Sequence, residues 1–402
     1  MGPDMRFEPI ALPVRPPRRP HVSRDPAARR RLAVLAALAL VALVVGLVVG
    51  ASPGSEHSSR RAGAAAAATP ERSAAARLPL RRQLGQLLVS SFDGPRVPPY
   101  IQRRLRVGET AGVILFGRNA GSADGLRSLT RALQRSAGGG ALVAVDQEGG
   151  QIRSVAFAGP QAAQAAQGGP AEVERSATAS GRELRALGVN VNLAPVADVP
   201  SSPSTALAGR SFSGSSTEVA ARVRASVRGS RSAQVAATAK HFPGLGAAAA
   251  NTDDAPVTIG SPRARLDAVD LAPFRAAIAE RVPLVMASHA LYPAYDRERI
   301  ASQSPALLGG LLRGRLRFRG AVITDSLEAQ SVLDRSNVAL AARRSIEAGA
   351  DLVLMTGSAS WNAVFPALLR EARRSPSLRR RVERSATRVL ALKGGLGLRT
   401  RR

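Results

Sequence analysis

Eight short apolar runs recur between residues 87 and 355, most of them separated by stretches long enough for a helix. They are 87–92 (LLVSSF), 112–116 (GVILF), 142–146 (LVAVD), 189–193 (VNVNL), 236–240 (AATAK), 284–288 (LVMAS), 321–325 (AVITD) and 351–355 (DLVLM). Most are continuous rather than alternating, the pattern of parallel strands buried on both faces. Between them, 172–187, 216–228 and 267–280 read as helices. Eight strand–helix units over roughly 300 residues predict an α/β fold of the (β/α)8 TIM type. A doubly wound open sheet is the alternative. No G-x-G-x-x-G comes after the first run, which argues against the dinucleotide-binding version.

A different pattern occupies the N-terminus. Residues 32–51 form an uncharged apolar stretch of 20 residues. As a helix rising ~1.5 Å per residue it spans a hydrocarbon core of ~30 Å. Arg29, Arg30 and Arg31 precede it, so the positive-inside rule keeps residues 1–31 in the cytoplasm and exports the chain beyond residue 51. A single-pass cell-membrane anchor is the expectation, because a cleaved signal has an apolar region of only about 7–15 residues. Cleavage and secretion is the alternative. Residues 1–31 are Pro- and Arg-rich, and 52–77 read as an Ala/Ser-rich linker to an exported domain at 78–402.

Composition changes this picture in two places. The formal net charge is +28, which would raise nucleic acid as a partner, but only Lys240 and Lys393 are lysines and aromatics are 3%. Base-stacking platforms are therefore scarce, and much of the charge sits in the two termini. No nucleic-acid partner is expected; anionic lipid or anionic wall polymer fits better. The chain has no cysteine, which excludes disulfides, thiolate metal sites and cysteine nucleophiles. Two histidines in the barrel region without metal-ligand spacing give no metal site, and no cofactor is expected.

In a barrel of this kind the chemistry sits at the C-terminal ends of the strands. Polar clusters fall there in five successive units: Asp146-Gln147-Glu148-Gly149-Gly150, then Asn192 through Asp198, Lys240-His241-Phe242-Pro243-Gly244, Ser288-His289, and Thr324-Asp325-Ser326. One of only two lysines and both barrel-region histidines lie in these clusters. A lysine in an arginine-rich chain suggests a need for a compact ammonium rather than a planar fork.

The segments VDQEGGQIR (145–153), NVNLAPVADV (190–199), AGRSF (208–212), KHFPGLG (240–246), MASHALYPAYD (286–296) and GAVITDSLEA (320–329) resemble glycoside hydrolase family 3. The nearest branch is the bacterial β-N-acetylglucosaminidases, and the similarity covers roughly 80–395. The resemblance implies a barrel and retaining hydrolysis, with N-acetylglucosamine at the non-reducing end of the substrate; the expectation is an enzyme acting on cell-wall glycan fragments, with that carbohydrate as its partner. It implies Asp325 as the nucleophile, and Asp146, Arg210, Lys240 and His241 as sugar-binding residues. Relatives carry an arginine eight positions after the Asp of the DQEGG run; here that place is Ser154, with Arg153 beside it as the substitute. Glu148 is expected to bind backbone amides of its own Gly-rich turn.

The general acid/base departs from the family pattern. Relatives have Asp-Ser-His in the loop after KHFPG, whereas this chain has Asn251-Thr252-Asp253-Asp254. Asp253 stands where the histidine would be. A carboxylic acid can do that work if its pKa is raised. Asp254 is the expected neighbour that raises it by like charge or orients it. A catalytically inactive wall-binding module and a β-glucosidase are the other readings.

Overall fold

The computed structural model describes residues 75–400, so the expected cytoplasmic tail, the apolar segment 32–51 and most of the linker lie outside the described residues. Among the described residues, no helix is long and apolar enough to cross a membrane.

Eight parallel strands close into a barrel: β1 (Leu88–Ser90), β2 (Gly112–Leu115), β3 (Leu142–Val145), β6 (Val191–Asn192), β7 (Ala236–Phe242), β8 (Leu284–Ala287), β11 (Ala321–Ser326) and β12 (Leu352–Leu354). Around the cylinder their order is β1-β12-β11-β8-β7-β6-β3-β2. Each coincides with one of the eight apolar runs. Pairing of Leu88 with Val353 closes the cylinder. The remaining strands form two hairpins on loops: β4 (Gln147–Gly149) with β5 (Ile152–Arg153), and β9 (Leu291–Tyr292) with β10 (Asp296–Ile300).

The period of two explains which residues fill the barrel. Ala144, Val191, Leu284, Met286, Ile323 and Leu354 belong to one buried interior cluster. The alternate residues Val143, Val145, Val285 and Val322 pack outward under the helices. Burying one such side chain stabilises the fold by roughly 1.5–3 kcal/mol.

The outer helices are α1 (Leu80–Gly85), α2 (Pro99–Val107), α3 (Ala123–Ala137), α4 (Pro170–Ala186), α5 (Ser216–Ser232), α6 (Leu271–Ala279), the π-helical α7 (Ala306–Arg315), α8 (Gln330–Leu333), α9 (Val338–Ala348), α10 (Ser360–Arg374) and α11 (Pro376–Gly395). Local chemistry sets their starts. Ser215 and Glu218 form a reciprocal capping box on α5, and the Asn337 side chain accepts from Leu340 N at 2.9 Å to start α9. Gly138 ends α3 with φ of 62°, a left-handed position that glycine adopts at little cost.

Candidate active site

Strand geometry delivers the polar residues to one end of the barrel. On β11, Ala321 and Ile323 face the interior, so Asp325 continues on that face past the last apolar layer. On β3 the same alternation carries Leu142, Ala144 and then Asp146 inward. β7 breaks the rule. Its register shifts between Ala239 and Phe242, and Phe242 packs outward, edge-on to Phe274 at 5.3 Å. The irregularity lets Lys240 and His241, adjacent in sequence, both serve the site.

Lys240 is the hub of a buried charge network. Its Nζ lies 2.7 Å from Asp146 Oδ1 and 2.6 Å from Glu148 Oε1. Arg210 reaches Glu148 with two donors, Nε to Oε2 at 2.9 Å and Nη2 to Oε1 at 2.6 Å. Burial opposes the Lys240 ammonium, but Asp146 and Glu148 outweigh it, and its pKa stands above the ordinary value. Burial also opposes the Glu148 carboxylate, yet Lys240 and Arg210 bring its pKa down to about 2. Glu148 thus pairs with two cations rather than with the backbone amides of its turn. The turn is held open by Gly149 and Gly150, at φ of 106° and 59°.

His241 is oriented by Asp198, a residue to which the sequence pattern assigns no role. Its Nδ1 donates to Asp198 Oδ2 at 2.8 Å, and Asp198 also accepts from Leu245 N at 2.6 Å. This leaves His241 Nε2 turned toward Asp325 Oδ2 at 3.8 Å. Asp198 is the penultimate residue of the NVNLAPVADV run, so its position is visible in the sequence, but its partner lies 43 residues away.

Asp325 is held as an anion. Burial alone would raise its pKa; His241, His289 and Lys240 together pull it below the ordinary value. Ser326 N donates to its Oδ1 at 2.8 Å. His289 is fully buried, and burial lowers its pKa. Its Nε2 meets the Ser326 carbonyl at 2.9 Å and must therefore carry hydrogen, and its Nδ1 lies 2.7 Å from Ser302 Oγ.

Asp253 responds in the opposite direction. The residue as a whole is exposed, but desolvation of its carboxyl, then the negative charge of Asp325, raises its pKa. Asn251 Nδ2 donates to Asp253 Oδ2 at 3.2 Å. Two backbone bonds tie the loop to the start of α8: Gln330 N to Asp253 O at 2.9 Å, and Ser331 N to Thr252 O at 3.2 Å. The like charge acting on Asp253 is therefore Asp325 and not Asp254, which is exposed.

Arg153 does not join this cluster. Its Nε donates to Gly150 O at 3.0 Å, and its Nη1 to Ala156 O at 2.9 Å and to the Gln161 side chain. The guanidinium braces the loop after β3. Ser154, at the family's usual arginine position, bonds instead to the backbone of Asp146, with its N donating to Asp146 O at 2.9 Å. Among the described residues, no group of three or more histidine or acidic side chains could hold a metal ion.

The profile of the glycosyl hydrolase family 3 N-terminal domain matches residues 79–392, most of the chain. The chain belongs to glycosyl hydrolase family 3. It is a glycoside hydrolase, acting on O-glycosyl bonds. A β-hexosaminidase of Methylococcus capsulatus is 34% identical over 303 residues, covering 72% of this chain and 89% of that protein. Among solved structures, the family 3 β-N-acetylglucosaminidase of a Paenibacillus species superposes with a TM-score of 0.75 at 35% identity, over 80% of this glycosidase and 63% of that chain. The β-N-acetylhexosaminidase of Beutenbergia cavernae gives 0.73 at 32% identity, over 79% of this glycosidase and 99% of its own length.

Proposed function

We propose that this glycosidase is a retaining β-N-acetylhexosaminidase that removes terminal N-acetylglucosamine from cell-wall glycan fragments. The observation that carries the reading is the opposed tuning of two carboxyls at one barrel mouth: Asp325 kept ionised, Asp253 biased toward its protonated form. Separated pKa values on neighbouring acids are the pattern expected of an acid and a nucleophile, and this supports the reading. The names of the relatives support the sugar.

The steps balance as a double displacement. An Asp325 oxygen attacks the anomeric carbon while Asp253 gives its proton to the departing glycosidic oxygen, leaving a glycosyl ester on Asp325. Water then attacks that carbon, the ester bond breaks, and the water's proton passes to Asp253. Lys240 holds one oxygen of Asp146, and the partly exposed carboxylate keeps its other oxygen for sugar hydroxyls. Asp198 fixes the ring of His241 beside Asp325, and Arg210 locks Glu148 and through it the ammonium of Lys240.

The assignment of Asp253 is tested by leaving-group dependence. In Asp253→Ala, disaccharides should lose at least about a hundredfold in rate, whereas glycosylation by an activated aryl N-acetyl-β-glucosaminide is largely spared. Added azide should restore turnover by attacking the intermediate without base help. Equal losses on both substrates without azide rescue would assign the proton elsewhere. An inactive wall-binding module predicts sugar binding and no turnover by the unaltered chain at any pH.

For location, we propose that residues 32–51 anchor the chain in the cell membrane, with the barrel outside. The uncharged 20-residue stretch behind three arginines supports this. The full chain should sediment with membranes, and protease added to protoplasts should digest the barrel. A secreted product beginning near residue 52 or later would replace the anchor with a cleaved signal.

A further inference from the structure

Two of the buried carboxylates in this barrel are matched by cations: Glu148 by Lys240 and Arg210, and Asp351 by Arg313, Arg381 and Arg388. Glu328 is different. It lies three residues after Asp325, just beyond β11, and is half-buried. Among the described residues it forms no ion pair. Its partners are neutral donors. Thr356 N donates to its Oε2 at 2.8 Å, and the Ser360 hydroxyl donates to its Oε1. Ser326 Oγ and Thr356 Oγ1 lie 3.0 and 3.1 Å from Oε2, and 2.6 Å from each other. Whichever of these two hydroxyls donates to the other, one hydrogen remains for the carboxylate, which can only accept. The carboxylate thus clasps the end of β11, the turn after β12 and the start of α10. There is little slack: a Cβ on Gly357 would stand 2.8 Å from Ser360 Oγ and 3.0 Å from Glu328 Oε1.

Both candidate reacting groups hang on this clasp. On one side is Ser326, whose N donates to Asp325 Oδ1 at 2.8 Å and whose carbonyl accepts from His289 Nε2 at 2.9 Å. Glu328 N donates back to Ser326 Oγ at 3.3 Å, so the setting of Ser326, and with it one oxygen of Asp325, is fixed from both ends of Glu328. On the other side, the residues just after Glu328 receive the loop of Asp253, with Gln330 N donating to Asp253 O and Ser331 N to Thr252 O. Glu328 therefore stands in sequence between Asp325 and the anchor of Asp253. Ser91, which follows β1, steadies the far wall of the clasp by donating to Thr356 O at 2.5 Å.

We propose that Glu328 is a positioning residue, whose carboxylate fixes Asp325 and Asp253 at the separation that the double displacement needs. The inference rests on the roles proposed above for those two carboxyls. Glu328 acts through Ser326 on the nucleophile and through the start of α8 on the acid. Four neutral donors suit that task, because an acceptor-only carboxylate dictates where each hydroxyl hydrogen points. Reacting groups displaced by about 1 Å can lose about a hundredfold in rate, so a clasp of this kind reaches the chemistry without touching the sugar.

The test compares Glu328→Ala, Glu328→Gln and Gly357→Ala in the full-length protein, at a temperature where each is folded. Inactivation by a slow, activated fluorosugar reads attack by Asp325 alone, because its leaving group departs without a proton; hydrolysis of a disaccharide reads attack and protonation together. In Glu328→Ala, inactivation should slow roughly tenfold and kcat on the disaccharide should fall roughly a hundredfold, with KM changed less than about threefold. Glu328→Gln keeps an oxygen for Thr356 N and offers its amide to Ser360 Oγ, and it should recover most of both losses. Gly357→Ala keeps every hydrogen-bonding group but crowds the carboxylate; it should fall between the two, and it carries the test if Glu328→Ala does not fold. A merely structural Glu328 predicts a lower melting temperature with both rates unchanged in the folded variants, and that result overturns the proposal. A Glu328→Gln as slow as Glu328→Ala also overturns it. Asp325→Asn, run alongside, separates the two readings. Label taken up by Asp325→Asn overturns the nucleophile assignment and the inference with it, whereas an inert Asp325→Asn beside a Glu328→Ala of parental rates overturns the inference alone.

Discussion

The chain has two lysines, both buried, and they have opposite fates. Lys240, at the C-terminal end of β7, lies between Asp146 and Glu148 and keeps its proton more firmly than a free lysine. Lys393, in the last turn of α11, has among the described residues only the neutral Gln86 Oε1 at 2.7 Å, and burial lowers its pKa to about 7. Similar burial with different partners gives one fixed cation and one near-neutral amine. The difference is physical: a desolvated charge persists only where opposite charges replace the lost water. The C-terminal end of the barrel makes that replacement with Asp146, Glu148 and Arg210, and so can hold dehydrated charges.

The comparison breaks most visibly at Lys240. In Lys240→Met, Glu148 keeps only Arg210, and Asp146 loses its anchoring cation. Truncating one partner of a buried pair costs about 3–5 kcal/mol. The variant should melt well below the parent and lose at least about a hundredfold in kcat/KM, a loss of roughly 2.7 kcal/mol in transition-state binding. Adding Glu148→Gln should recover part of the melting temperature but not the activity. A Lys240→Met protein as stable as the parent would show that the two lysines do not differ as described.

A smaller effect sharpens the comparison from the other lysine. The folded pKa of Lys393, about 7, lies below its ordinary value of 10.5, so between these the unfolded chain binds more protons. Its contribution to stability is therefore intact above pH 10.5, falls as pH drops toward 7, and is at its lowest below 7. Lys393→Met removes that dependence, at the cost of leaving Gln86 without its donor. Measured as the difference in unfolding free energy between variant and parent, the variant should gain on the parent as pH falls from 10 to 6. The gain over that range should be roughly 3–5 kcal/mol. A difference that does not change with pH would mean that Lys393 is charged throughout. Activity on an aryl N-acetyl-β-glucosaminide should be the same in both proteins at pH 7, since Lys393 lies away from the sugar site.

Legibility in the sequence tracks the range of the forces involved. All eight barrel strands can be read because strands buried on both faces must be apolar along their length, and that leaves a local trace. Asp325 and Asp146 can be placed at the site because each ends such a run in phase with the interior face. The roles of Glu148 and Asp198 cannot be read. Glu148 meets Arg210 from 62 positions away, and Asp198 meets His241 from 43. No local periodicity encodes such pairings. Arg153 stands out by lying beside a familiar position, yet its donors go to its own loop, at Gly150 and Ala156. Asp254 stands out by adjacency in sequence, whereas the charge acting on Asp253 comes from Asp325, brought close by the two backbone bonds that tie the loop to α8.

The central claim is that Asp325 attacks the anomeric carbon, and trapping the covalent intermediate tests it most directly. A slow, activated fluorosugar with a good leaving group should inactivate the enzyme stoichiometrically. Mass spectrometry of the digested protein should find one sugar esterified to Asp325, and Asp325→Asn should take up no label while melting like the parent. A sugar found on Asp253, Asp146 or any other carboxylate, or labelling that persists in Asp325→Asn, would contradict the account.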